Sequence, residues 1–273
     1  MKIALFLDVD KTLTKNYIQK DYATLLGCPE EYNTIEEQYQ LDENAKQFGK
    51  SLISLFKKKG FTEFFARKHF NDIALLDWTD ALLKLGSESE SVDTFLVSNG
   101  PNYYIEPLAE AYKIPIEHVV CSKYKFDEST DLIDDCEAVD NAKKASFTRD
   151  RVPNYDITIG VGDSLKHDQQ FLTHCTLGFI LNSEGKPIPQ SQEASSFFYT
   201  TNLARIVELA NRLDTIGIEH STLENDVEIT DELISSLTLK SMLNLRLREI
   251  KILWGVITTV FFAGLAIGAF FSK

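Results

Sequence analysis

The chain opens on five apolar residues without a polar break, Ile3–Leu7, and then meets two acids one residue apart, Asp8 and Asp10. An apolar run of that length reads as a strand buried on both faces of a sheet. Similar runs recur at 93–97, 117–121, 156–161 and 176–181, with a shorter one at 196–199. Between them the apolar spacing turns helical. The segment 71–86 predicts a helix whose buried side is Ile73, Leu75, Leu76, Trp78, Leu82, Leu83 and Leu85. Further helices are predicted over 101–112, 141–149, 169–174 and 202–213. Strands alternating with helices imply an α/β fold, a Rossmann-like parallel sheet flanked by helices.

The stretch 15–70 breaks that alternation. It holds helical patterns rich in aromatics and charge, with Gly27 and Gly60 placed as helix stops, and nothing to build a sheet. We read it as a helical cap inserted after the first strand, its Phe and Tyr residues forming the packing face. Lys57, Lys58 and Lys59 read as a solvated helix end. The acidic stretch 127–140 reads as loop or β-ribbon. The Rossmann-like core is then 1–14 with 71–213, and the cap 15–70. A polar linker and juxtamembrane helix occupy 214–251. The run 252–271 carries no charge over about twenty residues, long enough to cross a bilayer as one helix. Arg246, Arg248 and Lys251 precede it and only Lys273 follows, which predicts a C-terminal single-pass anchor with the folded part in the cytoplasm. Gly264 and Gly268 make a GxxxG pair, a candidate homodimer face.

Charge and composition narrow the chemistry. A formal net charge of −13 and a pI of about 4.9 argue against nucleic acid as partner. A small anionic substrate must be held by local cations or a metal, against the overall field. The four cysteines, Cys28, Cys121, Cys136 and Cys175, form no CxxC pair and read as reduced thiols. The histidines show no ligand spacing, and His167 and His174 read as surface or core residues. No signal peptide is expected, because Asp8, Asp10 and Lys11 interrupt the opening apolar run.

Candidate chemistry collects where strands end. Asp8 and Asp10 close the first strand, at the edge where open α/β sheets bind ligands. Ser98-Asn99-Gly100 closes the second; its hydroxyl and neighbouring N–H groups suit a phosphate oxygen, while a plain turn explains the same three residues. Asp140 N-caps a helix that carries Lys143 and Lys144 in its first turn, where cations oppose the helix dipole. Asp163 and Asp168 follow the strand at 156–161.

DVDKT at 8–12, Ser98, a lysine near 144 and GDSLKHD at 162–168 come in the order DxDxT, Ser/Thr, Lys, GDxxxxD. The chain over 1–213 thereby resembles the haloacid dehalogenase (HAD) superfamily, and the inserted cap resembles that of its phosphoserine-phosphatase-like branch. The resemblance implies a Mg²⁺-dependent phosphomonoester hydrolase. Asp8 would be the nucleophile that forms an aspartyl-phosphate, and Asp10 the acid and then the base. Mg²⁺ would be held by Asp8, the main-chain carbonyl of Asp10 and Asp163. Ser98, Asn99 and Lys144 would bind the phosphoryl oxygens, with Lys143 the second choice of lysine and with Thr12 and Asp168 in support. Serine-specific members carry a glutamate nine residues after the nucleophile, whereas this chain has Tyr17. The substrate is therefore left open among small phosphorylated compounds, a lipid or lipid headgroup included. Two further readings stand beside it: a phosphotransferase or mutase using the same aspartate, and a catalytically silent membrane adaptor.

Overall fold

The computed structural model describes residues 2–42, 44–185 and 197–214. β1 (Ile3–Leu7) is fully buried at all five positions because it pairs in parallel with a strand on each side. These are β2 (Val92–Pro101) and β5 (Ile157–Gly162). Outward from β2 lie β3 (Val119–Phe126) and then the antiparallel β4 (Ile133–Glu137). Outward from β5 lie β6 (Leu177–Leu181) and β7 (Phe198–Thr200), both parallel. The sheet order is β4-β3-β2-β1-β5-β6-β7. The chain winds outward from β1 in both directions, so the carboxyl ends of β1, β2 and β5 meet at the switch point where such sheets bind ligands. Both sheet faces are covered, and on one of them Phe6 stacks on Phe95 with ring centroids 4.7 Å apart.

Four helices lie between β1 and β2 as an insertion. They are α1 (Ile18–Leu25), α2 (Pro29–Asp42), α3 (Ala45–Lys58) and α4 (Glu63–Lys68). Gly27, in the left-handed region at φ 70°, ends the α1 segment, and Cys28 N donates to Ala23 O to turn the chain into α2. Thr62 caps α4 by accepting from Phe65 N. An aromatic interior holds the insertion to the core: Phe61 contacts Tyr22, Phe56 and Tyr103 at 4.8–5.3 Å. The lysine run faces solvent, with Lys57 paired to Asp134 at 2.5 Å and Lys59 to Glu31 at 2.8 Å in surface ion pairs.

α5 (Thr79–Glu88) is shorter than the helix expected over 71–86. Only 70–72 is helical before it, as one 3₁₀ turn. Leu75 bridges Thr14, Leu76 N donates to Leu13 O, and Lys15 N donates to Ala74 O. The two crossings between core and cap therefore pair as a short antiparallel neck, which uses the same alternating apolar residues that also fit a helix. Trp78 sits at φ 71° and is 54% exposed, not buried; Thr79 begins the helix by donating its hydroxyl to Leu13 O.

The remaining helices are α6 (Asn102–Ala111), α7 (Asn141–Arg151), α8 (Leu165–Leu172) and α9 (Ala204–Asp214). β3 runs five residues beyond the expected 117–121, and the acidic stretch after it is a ribbon strand, β4. Among the described residues no helix is long and apolar enough to cross a membrane. The anchor expected over 252–271, the juxtamembrane helix and the Gly264/Gly268 face lie outside the described residues.

Candidate active site

Lys144 organises the site. It lies in the first turn of α7, which starts where Asp140 Oδ1 accepts from Lys143 N at 2.8 Å. That cap fixes the helix phase. Lys144 turns inward, 1% exposed, while Lys143 turns out to Glu137 at 3.0 Å. The Lys144 ammonium donates to Asp8 Oδ1 at 2.8 Å and to Asp168 Oδ1 at 2.5 Å. It also sits 4.9 Å from the Phe171 ring centre. Burial alone would lower the lysine, but the Asp168 and Asp8 carboxylates together hold it above its ordinary value.

Asp8 follows the last residue of β1, and its backbone N–H still bonds Val161 O of β5 at 2.9 Å. Its other carboxylate oxygen accepts from the Thr12 hydroxyl at 3.2 Å. Burial raises the Asp8 carboxyl to about 6, against the pull of Lys144. Beyond Asp8 the chain does not stay extended: Leu13 N and Thr14 N return to Val9 O, and Lys11 takes φ 59°. Asp10 therefore opens a turn rather than continuing the strand. Asp10 Oδ1 accepts from Ile18 N, the first residue of α1, at 2.7 Å, so the second acid is pinned to the entrance of the cap. Burial, and after it the charge of Asp8, raises Asp10 to about 7.

A Cβ at Gly100 would run into Asp10 Oδ2, and would also meet Ser98 Oγ and Ile105 Cδ1 at 3.1 Å. Gly100 is thus the space in which the second acid stands. Gly100→Ala should displace Asp10, and any turnover in which Asp10 is the acid–base group should fall by about tenfold or more. Circular dichroism would confirm an intact fold, and unchanged turnover would remove this role. Gly162 does the same for Asp168, whose Cβ and Cγ both crowd the position. The clash there is with the inner part of a buried side chain, so Gly162→Ala should cost stability as well, about 1–3 kcal/mol in a denaturant melt.

Ser98, fully buried, lines the cleft and accepts from Gly100 N at 3.0 Å. Asn99 lines the same cleft, but its amide donates to Val139 O at 2.7 Å, bracing β2 against the segment before α7. Asp163 stands at the end of β5. Carboxylate oxygens of Asp8, Asp163 and Asp168 come within 4.8 Å of one another. Burial, then Asp168 and Asp8, raise the Asp163 carboxyl well above the usual range. Three acids against one lysine leave surplus negative charge converging on one point. A hard divalent cation such as Mg²⁺, which takes carboxylate and phosphate oxygens, suits that donor set.

Above these groups the cap closes a cleft of about 740 Å³ that is open to solvent. Tyr17, Tyr32, Glu36, Tyr39 and Phe48 line it from the cap side, and His167 from α8 stacks on Tyr39 at 6.0 Å. His167, read from sequence as a surface or core residue, is half-buried and lines the cleft from the α8 side. The cap residues carry no signature in sequence, because an aromatic on a cap helix looks the same whether it faces a cleft or its own core.

Comparison with known proteins supports the architecture. No protein-family profile matches the chain, and no curated protein matches it in sequence. Solved structures do match. A HAD family hydrolase from Salmonella enterica subsp. enterica serovar Typhi superposes with a TM-score of 0.64 at 16% identity, over 80% of this chain and 72% of that one. A phosphoserine phosphatase solved as a phospho-aspartyl intermediate analogue gives 0.58 at 17% identity, over 76% and 98%. A probable phosphoserine phosphatase from Vibrio cholerae gives 0.60 at 19%, over 81% and 68%. The chain therefore has the fold of these HAD-type hydrolases.

Proposed function

We propose that the protein is a Mg²⁺-dependent phosphatase that hydrolyses a small phosphomonoester through an aspartyl-phosphate on Asp8. The carrying observation is the position of Asp8: a carboxylate at the floor of a closed-over cleft, oriented by Lys144 and Thr12, with Asp163 and Asp168 converging on the same point. The likeness to a phosphoserine phosphatase captured as a phospho-aspartyl intermediate analogue supports the same reading.

The chemistry divides among the residues as follows. Asp8 supplies the attacking oxygen, and the bond from phosphorus to the ester oxygen breaks as the new one forms. Asp10, held by Ile18 N beside Asp8, gives its proton to the departing alkoxide. It then takes a proton from the water that attacks phosphorus and releases Asp8. The Ser98 hydroxyl and the Lys144 ammonium would donate to the phosphoryl oxygens, whose stabilisation grows in transfer. Asp8, Asp163 and the Asp10 main-chain carbonyl are the groups that would hold Mg²⁺, whose positive charge would offset the negative charge of the phosphoryl group. Asp168, taken up by Lys144 and by Ser164 N at 3.1 Å, orients the lysine.

Hydrolysis of p-nitrophenyl phosphate by the purified protein, with and without EDTA, tests this directly. Activity should appear with Mg²⁺, vanish in chelator and fall strongly in Asp163→Ala; full activity in excess EDTA would overturn the metal assignment. We also propose that the uncharged run 252–271 tethers the enzyme to a membrane with its folded part in the cytoplasm. The full chain should then stay with the membrane fraction after carbonate extraction, and a wholly soluble full chain would reject the tether.

A further inference from the structure

Resting on the phosphatase reading, we infer that the substrate is the phosphomonoester of a small alcohol that carries an ammonium group and no second anion. The inference comes from the composition of the cleft above the phosphate end. Among its lining residues Lys144 is the single lysine or arginine, and it is already shared between Asp8 and Asp168. The roof holds one ionisable acid, Glu36, set among the rings of Tyr17, Tyr32, Tyr39 and Phe48.

Glu36 is half-buried. It accepts a hydrogen bond from the Tyr32 hydroxyl, and its charge is felt at Asp10 and Tyr17 as well as at Tyr32. A carboxylate in that position disfavours a further anionic group on the substrate; Lys11, whose ammonium lies 5.3 Å from the Tyr17 ring centre, and Lys20 temper that charge, but neither is among the residues lining the cleft. A carboxylate-bearing or doubly phosphorylated substrate is therefore disfavoured there. A cation meets the opposite. Glu36 attracts it, and aromatic faces are the surface on which an alkylammonium binds well when desolvated. Phe48 packs at 4.9 Å from Tyr39, which in turn stacks on His167. The aromatic surface thus runs continuously from the cap to the rim of the catalytic floor. Burial raises the Glu36 carboxyl, and a bound ammonium would favour its charged form.

The test uses the full chain in detergent with Mg²⁺. It compares phosphocholine with 3,3-dimethylbutyl phosphate, the same shape with carbon in place of the charged nitrogen. A preference for phosphocholine of about tenfold or more in kcat/KM is expected from an ammonium held by rings and a carboxylate. Phosphoethanolamine should likewise outrun phosphoserine, which differs from it by the added carboxylate. Glu36→Gln should narrow both ratios, and Glu36→Lys should invert the second. Equal rates on phosphocholine and its neutral isostere, or ratios that ignore Glu36, would overturn the inference. Failure of the phosphatase reading is seen separately, as no turnover of p-nitrophenyl phosphate. In that event calorimetric binding of phosphocholine against the isostere decides the ammonium site by itself, and equal affinity rejects it.

Discussion

Asp8→Asn should eliminate turnover of every phosphomonoester, by at least about a thousandfold, the scale seen when a nucleophile that works as a unit with its partners is removed. The amide keeps the shape of the carboxylate but cannot attack phosphorus, and it cannot bind Mg²⁺ as an anion. The fold should not suffer. Burial already raises the Asp8 carboxyl to about 6, so a neutral group at this place relieves a crowd of three acids around one lysine. The variant should melt at or above the wild-type temperature while being inactive. That combination separates a catalytic role from a structural one. Near-normal hydrolysis by a folded Asp8→Asn protein would reject the mechanism. Asp10→Asn should be slowed by about 10²–10⁴ on alkyl esters and by less on aryl esters, whose leaving groups need less protonation.

The floor of the site was legible because it sits where strands stop. The unbroken runs that became β1 and β5 place Asp8 and Asp163 at their ends, and the Asp140 N-cap marks where the helix carrying Lys143 and Lys144 begins. Those are local signals, carried within a few residues of chain. The roof was not legible. Which faces of α2 and α3 cover the cleft depends on how the cap folds back over the sheet, a long-range result that helical spacing does not encode. His167 finds its stacking partner only through that closure. The 71–86 segment failed for a different reason. Ile73 and Leu75 fit a helix and an extended neck equally well by spacing, and pairing with Leu13, Thr14 and Lys15 decided between them. In β4 the exposure of most positions left no apolar run to mark a strand.

Lys144 should prove the most costly single position for the folded state. It is 1% exposed, and two buried carboxylates depend on it, Asp8 at 2.8 Å and Asp168 at 2.5 Å. Lys144→Met keeps most of the side-chain length and its packing on Phe171 but removes the charge. Both acids are then left buried without their cation, a loss of about 3–5 kcal/mol for a broken buried pair. In a domain of this size that corresponds to a melting temperature lower by about 6–20 °C. Since the Met side chain fills the space, the loss is electrostatic and should respond to charge. Adding Asp168→Asn to Lys144→Met should restore part of the stability, and the double-mutant cycle would return a coupling well outside additivity. Mg²⁺ should also stabilise the Lys144→Met protein more than the wild type, because the cation then has three unneutralised acids to hold. Catalysis should not return in either case, since the phosphoryl oxygens have lost a donor that no metal at Asp163 replaces. A Lys144→Met protein melting within about 2 °C of wild type, which corresponds to roughly 1 kcal/mol or less, would mean that the ion triad contributes little and that Asp8 is positioned by the backbone alone.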